Sequence, residues 1–182
     1  MDLAKVSTSM VTLVLVILLG GGVAYWAGDG GAKLLNLPLV TVCAALAFVL
    51  QWLAYVPAFL QRTEKFYDLV GSVTYLSVVA LALLTTALQG VATVRSYIGA
   101  AAVAVWAIRL GSFLFARVKR VGRDDRFVSI KQSWHRFLVA WTLQGLWVFL
   151  TLIAVLLMIA RPSTSPVNAW DVVGGALWLL GF

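Results

Sequence analysis

Apolar residues run along this chain in long unbroken stretches instead of alternating with polar ones. Five stretches, roughly 9–27, 39–61, 69–90, 96–116 and 137–160, are each long enough to cross the ~30 Å hydrocarbon core of a bilayer as a helix. The connections collect the charges and turn formers: GDGGAK, QRTEKFYD, GVATVR, a basic stretch from Arg117 to Arg136, and RPSTSPVN. A sixth apolar run begins near Asn168 and stops at Phe182. Its last eleven residues, from Val172, reach only ~16 Å as a helix. The pattern predicts an all-α, polytopic transmembrane helical bundle, with five full spans plus a sixth cut short at the C-terminus. Nothing repeats at a fixed period, and no segment is polar enough for a second domain. Residues 1–182 are therefore expected to form a single integral membrane domain, incomplete at its C-terminal end.

Composition strengthens this picture. Of 182 residues, 62% are hydrophobic and 12% charged, and the mean hydropathy is +0.97. A soluble domain of this size could not hide so much apolar surface. The net charge of +7 does not point to nucleic acid, because its distribution is that of a membrane protein. With alternating helices, Lys5, Arg62, Lys65 and the seven basic residues from Arg117 to Arg136 fall on one side. Only Lys33, Arg95 and Arg161 fall on the other, which places the N-terminus and the 117–136 loop in the cytoplasm. The run from Met10 to Ala27 is long for a signal peptide and lacks a small-x-small cleavage site, so it reads as a retained helix. Tyr97, Trp134 and Trp170 stand at helix starts, as interfacial anchors do. Gly20–Gly22, Gly71–Ser72 and Gly174–Gly175 read as points of close helix packing, and Pro57 as a kink near the end of the second helix. Cys43 is the single cysteine, so neither an internal disulfide nor a cysteine metal cluster is available.

Three features carry candidate chemistry. If the third helix starts near Thr63, then Glu64, Tyr67, Asp68, Gly71 and Tyr75 share one face. Carboxylates beside phenols can polarise a carbonyl oxygen, although Thr63 as N-cap with acids in the first turn is an ordinary helix start. Arg109 lies eight residues before Arg117, ~12 Å inside the helix end, where a guanidinium must snorkel, pair or meet a polar cavity. Glu64 or Asp68 is its expected partner. The loop ARVKRVGRDDRFVSIKQSWHRF is strongly cationic, which suits anionic lipid heads or a phosphate-bearing ligand. His135, the lone histidine, has no second ligand that would make a metal site. Glycine-rich phosphate loops, nucleophile elbows, metal-ligand spacings and dinucleotide fingerprints are all missing from the sequence.

The stretches TEKFYDLVGSVTY, WAIRLGSFLFARVKRVGRDDRF and WDVVGGALWLLGF together resemble a bacterial membrane family, domain-of-unknown-function 1295, over about Arg62 to Phe182. That family is similar to the steroid 5-alpha-reductases and, more distantly, to the isoprenylcysteine carboxyl methyltransferases. The resemblance implies a bacterial inner-membrane reductase. NADPH would enter from the cytoplasm, and a conjugated double bond in a lipid-like enone or enal would be reached through the lipid bilayer. It further implies Tyr67 with Glu64, and Asp68 beside them, for carbonyl polarisation. Arg109, Arg117, Asp124 and Arg126 are implied as cofactor-binding residues, with Gly122 and Phe127 in the same motif. Similar family members continue past LWLLGF into an Asp-Gln stretch and an Arg-His-Pro-Asn-Tyr signature that helps to hold the cofactor. Two further readings stand beside the reductase. One is a membrane methyltransferase; the other is a non-catalytic scaffold that binds anionic lipid through the Arg117–Arg136 loop.

Overall fold

Six α-helices carry the chain in the computed structural model, which describes residues 3–121, 124–161, 163 and 167–182. Gly122 and Arg123 of the basic loop lie outside the described residues. The helices are α1 (Leu3–Gly28), α2 (Leu39–Leu60), α3 (Tyr67–Leu88), α4 (Val94–Val121), α5 (Trp134–Ala160) and α6 (Ala169–Gly181). The first five are long and apolar enough to span a membrane, whereas α6 has 13 residues. The chain is thus an all-α polytopic bundle, as its hydropathy predicts. The helix ends exceed the apolar runs where polar residues extend a turn beyond the core. In α4 the segment Arg117–Val121 continues the helix past its membrane-length stretch.

Two short features have no hydropathy signature. Strands β1 (Lys33–Leu34) and β2 (Leu37–Pro38) pair antiparallel between α1 and α2. Their two-residue turn places Leu35 at φ 51° and Asn36 at φ 65°, the double left-handed geometry of a tight hairpin. Arg161 closes over this end, donating to the carbonyls of Ala27 and Asp29. At the opposite end, a 3-10 turn (Asp125–Phe127) follows α4.

α5 is the central element, packing against α1, α2, α3 and α4. It buries Phe137, Trp141, Phe149, Leu152, Leu156 and Ile159 almost completely. α3 lies between α2 and α4 and also touches α5. α1 is peripheral, burying only Leu13, Val16, Gly20, Ala24 and Gly28, a stripe at helical spacing. Of the expected glycine contacts, Gly20 is one: a Cβ there would lie 2.8 Å from the Phe48 ring. Gly21, Gly22, Gly174 and Gly175 have open space beside them, so the expectation of packing fails at those four. Composition alone could not tell which glycine faces a neighbour.

α6 buries no residue and is held at two points along α4. Asp171 forms a two-bond ion pair with Arg95, both contacts at 2.7 Å. Phe182 lies under the Arg109 guanidinium, 4.6 Å from the ring centroid. Asn168 and Asp171 cap the helix reciprocally, which fixes its start at the predicted residue.

Candidate functional site

The polar strip expected on the third helix divides into two places. Residues 62–66 form a bend, and α3 begins only at Tyr67. Thr63 is not the N-cap: its hydroxyl accepts from the Lys65 amide instead (3.4 Å). Glu64 therefore leaves the face that Tyr67, Asp68, Gly71 and Tyr75 share. Its side chain is buried, accepting from the Asp124 backbone N–H at 3.1 Å and pairing with Lys131 Nζ at 2.6 Å. Burial works against ionisation of this carboxyl, but the Lys131 ammonium and the Asp124 amide outweigh it and hold it below its ordinary range.

Glu64 thereby pins the basic loop against the end of the bundle. Phe127 inserts beside it, 4.8 Å from the Tyr67 ring and 6.1 Å from Phe137. Arg126 grips Asp124 through Nε at 3.0 Å, and this hydrogen-bonded ion pair holds the Asp124 carboxyl below its usual range against a smaller burial effect. Arg117 reaches Asp68 at 3.5 Å. Glu64, Asp68 and Asp124 thus each have a cation at this end, and Asp124 of the motif RDDRF orders the loop.

The other place is a cavity of about 490 Å³ between α3, α4 and α5. Asp68, Ser72 and Tyr75 face it from α3, Trp106 from α4, and Gln144 and Trp147 from α5. Small residues open it. A Cβ on Gly71 would collide with Gln144, and one on Gly111 would lie 2.5 Å from Ser72 Oγ. Gln144 Nε2 donates to the Tyr67 carbonyl at 3.0 Å, while its buried Oε1 has no partner among the described residues. The Tyr75 hydroxyl lies 2.6 Å from Thr151 Oγ1, and its ring meets Trp106 edge-on at 4.9 Å. A neighbouring cavity of about 380 Å³ shares Tyr75, Trp106 and Trp147 and extends to Trp178 and Phe182 of α6. The two form one largely apolar groove with polar groups concentrated toward Asp68.

The expected site residues thus fall into three groups. Asp68 and Tyr67 line the cavity, although the Tyr67 hydroxyl is spent on the Ala140 carbonyl at 2.9 Å. Glu64, Asp124, Arg126 and Arg117 form the brace at the basic-loop end. Arg109 joins neither. It is exposed on α4, and its contact is the Phe182 ring, so the expected pairing with Glu64 or Asp68 is replaced by a cation–π contact. The physical reason is helix rotation. Ala107 is buried and Gly111 meets Ser72, which turns Arg109 away from α3. The four residues expected for NADPH consequently do not make one cradle, since Arg109 stands apart and Arg117 and Arg126 each hold an acid. Sequence reasoning missed Gln144, Trp106 and Lys131. Gln144 had a signal, being a side-chain amide inside an otherwise apolar run.

A family model described as a protein of unknown function (DUF1295) matches residues 54–182, and the chain belongs to that family. The match covers the whole of the groove and its brace, leaving α1 and most of α2 outside. No curated protein and no solved structure matches the chain.

Proposed function

We propose that this DUF1295 member binds an amphiphilic, lipid-like molecule in the groove among α3, α4 and α5, and acts on it as a membrane reductase of a conjugated double bond. The cavity of about 490 Å³ carries the reading: its walls are mostly apolar, and its polar groups gather at one end. An enone or enal with a long apolar tail suits such a space, arriving laterally from lipid. The reductive chemistry is what the resemblance of the sequence motifs to the steroid 5-alpha-reductases would imply. Charge asymmetry supports a cytoplasmic position for the Asp68 end, at the membrane of a bacterial cell.

Within this reading the residues take distinct roles. Asp68 accepts a hydrogen bond from a hydroxyl or from water carried with the ligand, and Gln144, donating to the Tyr67 carbonyl, fixes the wall beside it. A phenol must exchange its present partner to polarise a carbonyl. Tyr75 exchanges at little cost, because the Thr151 hydroxyl keeps its own bond to the Trp147 carbonyl at 2.8 Å. Tyr67, wedged between Phe127 and Trp141, shapes the wall, and Glu64 positions the loop that covers it. NADPH is the cofactor this reading implies and would supply the hydride; Arg117 and Arg126 each hold an acid and do not by themselves form its site.

The test uses the purified chain in lipid nanodiscs with a long-chain enone. Binding is followed by quenching of Trp106 and Trp147, and turnover by saturation of the double bond with NADPH. Leu143→Trp, which fills the cavity, is expected to abolish binding. Unchanged affinity in that variant would sink the proposal, and binding of S-adenosylmethionine without NADPH would transfer it to a methyltransferase.

A further inference from the structure

A separate cavity, about 360 Å³, lies where the N-terminal ends of α1 and α5 meet the C-terminal end of α2. It takes no wall from α3 or α4 and so is distinct from the groove. Lys5, His135 and Arg136 line it with Gln132, and Phe59 and Trp134 supply apolar surface. The charged residues among the described ones in its lining are Lys5 and Arg136.

His135 is the informative residue. It is 7% exposed, yet it sits at the start of a span among basic neighbours. Its Nδ1 lies 2.8 Å from Ser9 Oγ of α1, which orients the ring. In the tautomer in which Ser9 donates to Nδ1, Nε2 carries the ring proton, and no described residue receives it. The space that His135 lines is this cavity. Ser133 makes no side-chain cap, so the first-turn N–H groups of α5 add further donors beside it. Trp134, 41% exposed, marks the level as the membrane interface.

Donors and cations from two helices, around a space at headgroup depth and edged by aromatic rings, match an anionic group that brings an apolar tail. We infer that this cavity holds the phosphate of an anionic phospholipid from the leaflet on the basic-loop side. The lipid bridges α1 to α5 at the end where α1 buries least. Lys5 and Arg136 supply the charge, and His135 a directed hydrogen bond.

The experiment uses the full chain in detergent, with retention of phosphatidylglycerol and phosphatidylcholine counted by native mass spectrometry. Wild type is expected to retain phosphatidylglycerol preferentially. Lys5→Ala with Arg136→Gln is expected to lower that preference roughly thirtyfold, at about 1 kcal/mol per basic residue. Gln132→Glu, which removes no cation, is expected to lower it as well, and it decides the matter if the double variant fails to fold. Lys119→Gln with Arg120→Gln, charge-matched but outside the cavity, should leave it unchanged. Equal retention of both lipids by wild type overturns the inference, as does an equal loss in the control pair. Displacement of the lipid by millimolar inorganic phosphate would reassign the site to free phosphate and also overturn it.

Discussion

Glu64→Gln tests whether one buried carboxylate holds the basic loop in place. In wild type this carboxylate takes two charge-assisted contacts, from Lys131 Nζ at 2.6 Å and from the Asp124 amide at 3.1 Å. A hydrogen bond to a charged group is worth about 1.5–3 kcal/mol, and leaving a cation unpaired in a buried site costs more. Lys131 keeps 23% of its side chain exposed, so water compensates part of the loss. The glutamine keeps an acceptor for the Asp124 amide but can turn only its remaining amide group, a donor, toward Lys131. The net cost is about 2–3 kcal/mol. Lys131→Met removes the clash, so the double variant should recover about 1 kcal/mol relative to the sum of the single changes. The assay is unfolding in mixed micelles with a rising fraction of anionic detergent, read by tryptophan fluorescence. The pH dependence gives an independent reading. The folded-state value for Glu64 lies below its ordinary 4.5, so its contribution is present above that value and is lost as pH falls through the folded one. Asp124, also held low, acts in the same direction. Wild type should therefore lose stability on acidification toward about pH 4, and Glu64→Gln should lose less. Strict additivity of Glu64→Gln and Lys131→Met, with the same acid response in all variants, would refute the reasoning.

Other outcomes follow from the packing. Gly111→Ala places a Cβ 2.5 Å from Ser72 Oγ and should destabilise by about 1–3 kcal/mol, with Ser72→Gly restoring the loss in the same unfolding assay. Gly20→Leu should loosen α1, because its Cβ position already lies 2.8 Å from Phe48, whereas Gly22→Leu should be neutral; hydrogen exchange across residues 8–28 distinguishes them. Arg95→Gln should release α6, raising exchange over residues 171–181. Arg109→Gln should do so more weakly, since a single cation–π contact is worth about 0.5–1 kcal/mol at exposed sites.

Several elements were legible without coordinates. The five spans, the start of α6 at Asn168 and the aromatic residues opening α4, α5 and α6 all follow from apolar length, capping chemistry and interfacial preference. Each of these signals lies within a few residues of the element it specifies. The strip Tyr67, Asp68, Gly71 and Tyr75 was legible for the same reason, since helical periodicity places those residues on one face. Tertiary structure decided what local periodicity could not. Glu64 left that strip because its strongest partner, Lys131, lies 67 residues away, and a turn of helix was given up to reach it. Arg109 turned away from the acids because the rotation of α4 is set by Ala107 and Gly111 fitting against their neighbours, not by the charge. Gln144 entered the site from the fifth helix, paired with a carbonyl 77 residues earlier. Hydropathy fixes which segments enter the membrane because lipid acts on each helix alone. Which faces then meet depends on shape and hydrogen bonding between helices, and that information is spread across the whole chain.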